Sequence, residues 1–404
     1  MSATLKRDLR TGRSVWATGR GLNVPARPLK KAVSVDVVIV GSGISGAMAA
    51  FELSKDHSVV VLDRRPPLTG STVASTALLQ WEIDQPLTDL ADRIGPTDAA
   101  RAWKRSYQAV ADLGALVRAE RIPCAWDDRD TLYLAGDQFG FRALKDEAAA
   151  RADLGLPSRF LSAAEVRDDY GIDRTGAVLS QDSASADPAR LAAGLLRRAV
   201  ANGARVHSPV EVLDILPDPD GVTLATDTGL AVRAQQVVLC CGYEFPKAVP
   251  TEGAGIASTW AIASQPGAAC PAWLKRTLVW EASDPYLYLR CGPDGRVIAG
   301  GEDEESPTAH EDPARLKRKC EAVARKVSAL IPGLELEVDY AWSGAFGTST
   351  TGLPIIGPVP GMDRVQAVMG FGGNGITFSM IASQIVSAAI RGKPDPDADL
   401  FAPA

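Results

Sequence analysis

The chain has 404 residues, 46% of them hydrophobic and 23% charged, an ordinary globular balance that accommodates two domains or one large domain with an insert. A formal net charge of −6 excludes a broad basic surface for nucleic acid, and no run of 18 apolar residues is present to form a transmembrane helix. Six scattered cysteines without CxxC spacing, and three histidines far apart, exclude a disulfide framework and a zinc or His-rich metal motif. The basic start lacks an apolar stretch behind it, so the expectation is a cytoplasmic protein.

Residues 1–31 carry eight Lys and Arg against the single Asp8. This stretch reads as a solvated, loosely packed basic arm, with a partner subunit, a membrane surface or the protein's own acidic body as the alternatives for docking. Residues 35–40, Val-Asp-Val-Val-Ile-Val, form a β-branched run suited to a buried strand. A helix of small residues and leucine follows over 47–54, and a second buried strand over 58–62 ends at Asp63, completing one βαβ unit. Residues 87–153 have largely helical spacing with a short strand at 130–135, and 188–202 is an amphipathic helix. Strands are expected at 221–225 and 232–240, through much of 256–302, and at 340–348 and 365–369. Helices are expected over 312–331 and about 377–391.

Gly41-x-Gly43-x-x-Gly46 joins the first strand to the first helix. Gly41 permits a tight turn, Gly43 lets the backbone approach a pyrophosphate, and Gly46 lets the helix pack on the strand. Asp63 stands about 20 residues on, where an acid accepts the hydroxyls of a ribose. Together these define a dinucleotide site, and an acid at this position fits FAD or NAD better than NADP, despite Arg64 and Arg65 behind it.

Two further segments have the chemistry of backbone approach. Residues 70–80, Gly-Ser-Thr-Val-Ala-Ser-Thr-Ala-Leu-Leu-Gln, form a hydroxyl-rich loop just after the acidic strand end, suited to phosphate and ring edges or to a plain polar turn. Residues 370–375, Gly-Phe-Gly-Gly-Asn-Gly, place four glycines before a helix, whose N-terminus favours negative charge on something planar or anionic.

These segments, with Val237-Val-Leu-Cys-Cys-Gly242, Tyr286-Leu-Tyr-Leu-Arg290, Gly300-Gly301, Trp342-Ser-Gly344 and Leu353-Pro-Ile-Ile-Gly357, run in the order of the D-amino-acid oxidase-like FAD superfamily, which the chain resembles over residues 35–391. The resemblance implies an α/β fold: a Rossmann-like FAD-binding domain built from 32–86, 155–246 and 336–394, with a discontinuous α+β substrate domain from 87–154 and 247–335 whose antiparallel sheet lies over the flavin. Residues 395–404 are left as a C-terminal tail. It implies cofactor contacts at Gly41, Gly43, Ile44, Ser45, Gly46, Asp63, Arg64, Ser71, Thr72, Ser75, Thr76, Leu78, Val210, Cys241, Gly242, Gly344, Gly373, Asn374, Gly375, Ile376 and Thr377. The flavin is expected to be noncovalent, since no Cys lies near Trp342 and no His lies in 70–82.

The resemblance also implies a reaction in which a C–H beside an amine nitrogen delivers hydride to flavin N5 and the imine is hydrolysed by water. The implied substrate is an amine or an amino acid, N-substituted or not, and the electron acceptor is O2 or another oxidant. A non-basic residue at each place where relatives carry a carboxylate-binding Arg (Gln80, Gly344 to Phe346, Gly373) weighs against a simple α-amino acid. Ile298 or a neighbour stands where some relatives place an oxygen-activating lysine, which favours a dehydrogenase. Gln80, Glu82, Tyr288, Arg290 and Trp342 are the candidate catalytic residues, with Trp260, Tyr286 and Phe346 as further pocket candidates and Glu82 as a binder of a substrate ammonium. The alternatives are a flavin-dependent 2-hydroxy-acid oxidase or dehydrogenase, and an FAD subunit active only in a complex, which the basic arm would favour.

Overall fold

The computed structural model describes residues 2–251 and 253–403. The β-branched strand Val33–Val40 lies at the centre of a nine-stranded sheet, between the parallel strands Val59–Leu62 and Ala231–Gly242. Arg205–His207 and Ala26–Arg27 extend it in parallel on one side. On the other side Met362–Met369 runs parallel to the end of Ala231–Gly242, and the hairpin Val212–Asp218/Gly221–Thr226 packs antiparallel to its start. The inner strand residues Val37, Val38, Ile39, Val59, Val60, Val61 and Leu62 are sealed from solvent, as expected of parallel strands covered on both faces.

The helix Ile44–Leu53 begins directly after the first strand and packs against Pro188–Ala201 and Gly375–Ile390. All three are rich in Ala, Gly and Ser on their buried positions, which allows close approach of helix to sheet. Gly46 shows why: a Cβ there would fall against the carbonyl of Gly41, well inside contact distance.

A ten-stranded, mostly antiparallel sheet stands over this layer, in the order Arg10–Gly12, Val338–Ser349, Ala254–Ser264, Val297–Glu304, Leu287–Cys291, Thr277–Glu281, Asp127–Leu134, Gly176–Ser185, Leu78–Leu79, with Ser158–Ser162 also paired to Gly176–Ser185. The helix Pro313–Leu330 covers its outer face through Cys320, Val323, Val327 and Leu330, a three-to-four residue spacing.

Two assignments from sequence need correction. Val338–Ser349, expected with the cofactor domain, pairs along its length with Ala254–Ser264 and belongs to the larger sheet, as does Gly176–Ser185. Alternation alone does not say which sheet a strand joins; cross-strand partners decide it. Residues 2–31 are not a loose leader. Arg10–Gly12 pairs with Trp342 to Gly344, Ala26–Arg27 edges the smaller sheet, and Leu9 and Trp16 are buried. One of their basic residues meets the acidic body: Lys6 Nζ lies 2.8 Å from Glu211 Oε2. The closing residues pack too: Phe401 is buried, and Arg101 binds Asp397 and Asp399.

Candidate active site

A long cleft runs between the two sheets. Its cofactor half is built where the first strand turns into the first helix. Gly41 has φ +109, and a side chain there would strike the carbonyl of Cys240. Gly43 has no side chain to cap the helix Ile44–Leu53, and this N-terminus faces the cleft beside Ser45. Asp63 Oδ2 accepts from the amide and hydroxyl of Ser42 at 2.8 and 2.6 Å, and Oδ1 from the amide of Arg65 at 2.8 Å. The carboxylate is thereby held at the cleft wall. Val210, Cys241 and Gly242 line the same stretch. Arg64 and Arg65 are the basic residues of the lining, and both pair with Glu244, at 2.5 and 2.6 Å.

The hydroxyl loop is gripped from outside. Four consecutive carbonyls accept hydrogen bonds from distant side chains: Val73 from Ser14 Oγ, Ala74 from Trp342 Nε1 at 2.8 Å, Ser75 from Trp16 Nε1 at 2.7 Å, and Thr76 from Arg290 Nε at 2.8 Å. The loop backbone is pinned outward, so that Ser71, Thr72, Ser75, Thr76 and Leu78 line the cleft. Thr72 Oγ1 also accepts from the amide of Ile44 at 3.0 Å, tying the loop to the glycine turn.

The glycine loop at 370–375 meets the same cleft. Gly373, Asn374, Gly375 and Ile376 line it, and the helix Gly375–Ile390 likewise starts without a side-chain cap. Asn374 is locked by Nδ2 to the Glu82 carbonyl at 2.7 Å and by Oδ1 to the amide of Asp84 at 3.1 Å. Thr377, expected to touch the cofactor, does not line the cleft; its hydroxyl donates to the Gln80 carbonyl at 2.8 Å. Two helix N-termini, a glycine turn and an anchored acid in one cleft fit a dinucleotide whose far end is a flat ring. These residues would hold its pyrophosphate, ribose and ring edge.

Beneath the larger sheet the cleft is lined by Gln80, Asp84, Tyr243, Thr259, Trp280, Tyr286, Tyr288, Phe346 and Phe371. Gln80, Tyr286, Tyr288 and Phe346 were legible in the sequence; the others were not. Gln80 Nε2 is shut from solvent without a hydrogen-bond partner, a donor available to a ligand. Asp84 opens into the cleft, with Oδ2 accepting from the amide of Gly373 at 2.6 Å. The protein around it pushes its carboxyl above the usual range, against the pull of that amide.

Four candidates lie elsewhere. Glu82 has a fully buried side chain that accepts from Thr131 and Ser183 and faces Arg151 at 3.7 Å, inside a buried group completed by Glu147. Along Trp-Glu-Ile-Asp the carboxylate two residues on, Asp84, is the one that reaches the cleft. Arg290 is buried and spent on the carbonyls of Thr76 and Ala186. Trp342 serves the hydroxyl loop, and Trp260 is buried with Lys319 over its ring.

Fold and site define a dinucleotide-binding protein in which a second sheet closes over the reactive end of the cofactor. The chain belongs to the FAD dependent oxidoreductase family, whose model matches residues 36–389, and it is accordingly an FAD-dependent oxidoreductase. It is similar to glycine oxidase of Geobacillus kaustophilus, at 25% identity over 89% of this chain and 93% of that protein. A crystal structure of glycine oxidase from Geobacillus kaustophilus superposes with a TM-score of 0.77 over 92% of this chain and 99% of that one, at 21% identity. Gamma-glutamylputrescine oxidoreductase of Escherichia coli is 22% identical over 96% of this chain and 90% of its own. L-proline dehydrogenase from P. horikoshii has the same fold, with a TM-score of 0.76 over 93% and 98% of the two chains, at 18% identity.

Proposed function

We propose that the enzyme oxidises a C–N bond of an amine or N-substituted amino acid. The observation that carries this reading is the make-up of the cleft beneath the larger sheet: tyrosine, threonine and aspartate line it, and the basic residues of the lining, Arg64 and Arg65, sit at the cofactor end tied to Glu244. An α-carboxylate has no guanidinium to receive it there. The relatives named for glycine, gamma-glutamylputrescine and D-amino acids support oxidation next to nitrogen.

Bound FAD supplies the two-electron acceptor. The protein's residues bind and orient the substrate. Asp84 Oδ1, left open by the Gly373 amide on Oδ2, receives an amine N–H. Gln80 Nε2 offers a donor, and Phe346 and Phe371 exclude water from the space between. The imine product is hydrolysed by water after release. The cofactor is held without a covalent bond, and a partner other than O2 accepts the electrons, since Ile298 is buried in the core rather than replaced by a lysine in the cleft.

The test is an anaerobic titration of the flavin-loaded protein with amines, N-methyl amino acids, D- and L-amino acids and 2-hydroxy acids, followed by air. Amines should bleach the flavin and 2-hydroxy acids should not. Bleaching by 2-hydroxy acids alone refutes the reading, and fast recolouring in air makes the enzyme an oxidase. Acid precipitation should leave the yellow colour in the supernatant.

A further inference from the structure

The strand Val297–Glu304 contains an irregularity with a chemical consequence. Gly300 lies on the cleft side, against the Tyr288 ring, while Val297 and Ala299 pack outward with the helix Pro313–Leu330. Simple alternation would bring Glu302 back to the cleft. Instead the register to Ala254–Ser264 slips between the pairs Ser258/Glu304 and Trp260/Gly301, Gly301 has φ +139, and Glu302 has φ +62. Glu302 therefore points outward, where Lys326 and Lys319 bind it at 2.5 and 3.3 Å. The extra residue turns Asp303 to the cleft side of the sheet, behind Thr259, Tyr286 and Tyr288. A non-glycine residue in the left-handed region is strained, and bulges of this kind re-aim a side chain beside active sites.

Both Asp303 oxygens are shut from solvent, and neither completes a hydrogen bond of normal length and angle among the described residues. The hydroxyls of Thr259 and Tyr286 stand next to the carboxylate, and burial pushes its carboxyl up to about 6. It is a buried carboxyl with hydroxyl neighbours and, among the described residues, no ion-pair partner within 4 Å, an arrangement that costs stability and clusters at functional sites. Its nearest cation, Lys319, is engaged by Glu302 and Glu304. An anion behind Thr259 and Tyr286 orients their O–H groups toward itself and turns their lone pairs to the cleft. The roof then presents acceptors and aromatic faces, the surroundings that receive an ammonium.

We propose that this roof, Thr259, Tyr286 and Tyr288 backed by Asp303 as a positioning residue, is a subsite for a second, positively charged nitrogen of the substrate, apart from the C–N bond that is oxidised. The preferred substrates are then diamines, or amines bearing a distant cationic group. The inference rests on the amine-oxidising reading and narrows it.

The experiment compares butane-1,4-diamine with butylamine in anaerobic flavin reduction by the loaded enzyme and by Asp303→Asn. The diamine should half-saturate reduction at a concentration at least tenfold below butylamine. Asp303→Asn should reduce that preference to threefold or less, with the loss lying in the half-saturating concentration and the melting temperature no lower than the parent's. Equal half-saturation by both amines in the parent, a preference retained in Asp303→Asn, or a lower melting temperature of the variant each overturns the subsite and leaves amine oxidation standing. Failure of every amine to bleach the flavin overturns both. If Asp303→Asn does not load flavin, Thr259→Val serves in its place, judged by the diamine preference alone: a preference retained in that variant overturns the subsite.

Discussion

The indole Nε1 of Trp16 donates a 2.7 Å hydrogen bond to the carbonyl of Ser75, so a residue from the N-terminal segment holds the hydroxyl loop of the cofactor cleft. Arg290 lies under the same indole, its guanidinium 5.3 Å from the ring centroid, and grips the next carbonyl. The segment is structurally part of the site. Trp16→Phe keeps the packing and removes one hydrogen bond worth about 1 kcal/mol, so FAD should bind roughly fivefold more weakly. Trp16→Ala should also lower stability by about 3 kcal/mol. Flavin fluorescence on dilution and thermal unfolding of the apoprotein separate the two effects. Unchanged flavin affinity in both variants would falsify the supporting role.

Gly46→Ala tests the glycine turn. Its new methyl group meets the Gly41 carbonyl backbone, which no side-chain rotation relieves. The variant should lose several degrees of melting temperature and purify with little flavin. Gly43→Ala meets only Thr72 Oγ1, at 3.1 Å, so its apoprotein should fold normally while cofactor loading falls. Circular dichroism beside flavin absorbance distinguishes them; similar apoprotein stabilities would contradict this assignment.

The buried group of Glu82, Glu147 and Arg151 is structural. Arg151 Nε lies 2.7 Å from Glu147 Oε1, and its guanidinium stacks over Trp103. Glu147 also accepts from the amides of Leu87 and Thr88, at 2.9 Å each. Burial resists its ionisation, but Arg151 and these amides hold its carboxyl below the usual range. Arg151→Met should therefore destabilise the fold by roughly 3–5 kcal/mol, because the carboxylates remain buried without their cation. Glu82→Gln should act on unfolding in urea and not on the half-saturating amine concentration. A tenfold change in that concentration with unaltered stability would put Glu82 back in the substrate site.

Asp303 links acidity to both binding and stability. Burial raises its carboxyl, the hydroxyls of Thr259 and Tyr286 beside it lower it, Asp84 across the cleft raises it further and Lys319 behind the sheet lowers it, with Tyr288 also facing it. Its carboxyl is raised in the fold, so ionisation works against folding. That penalty is absent below the ordinary carboxyl range near pH 4 and complete above about pH 6. Asp303→Asn should thus be more stable than the parent at pH 8, by on the order of 2 kcal/mol, and equal to it at pH 4. The diamine preference should run the same way, full at pH 8 and fading as pH falls through 6. A stability difference independent of pH would show that the carboxyl titrates elsewhere.

The cofactor half of this protein rests on local patterns of periodicity and glycine spacing. The run at 35–40, the turn at Gly41 to Gly46, the acid at Asp63 and the glycines at 370–375 are local signals, because each reports a backbone conformation set by neighbours within a few residues. The non-basic residues at Gln80, Gly344 to Phe346 and Gly373 stood out only through the resemblance to the D-amino-acid oxidase-like superfamily, not through any local pattern. What the N-terminal segment packs on, which sheet claims Val338–Ser349, and which of Glu82 and Asp84 enters the cleft depended on partners far away in the chain. Asp303 is the clearest case: one extra residue at Glu302 reverses the facing of every position after it. That reversal exists only in the pairing with Ala254–Ser264, since a side-chain period of two carries no record of a bulge until the partner strand is in place.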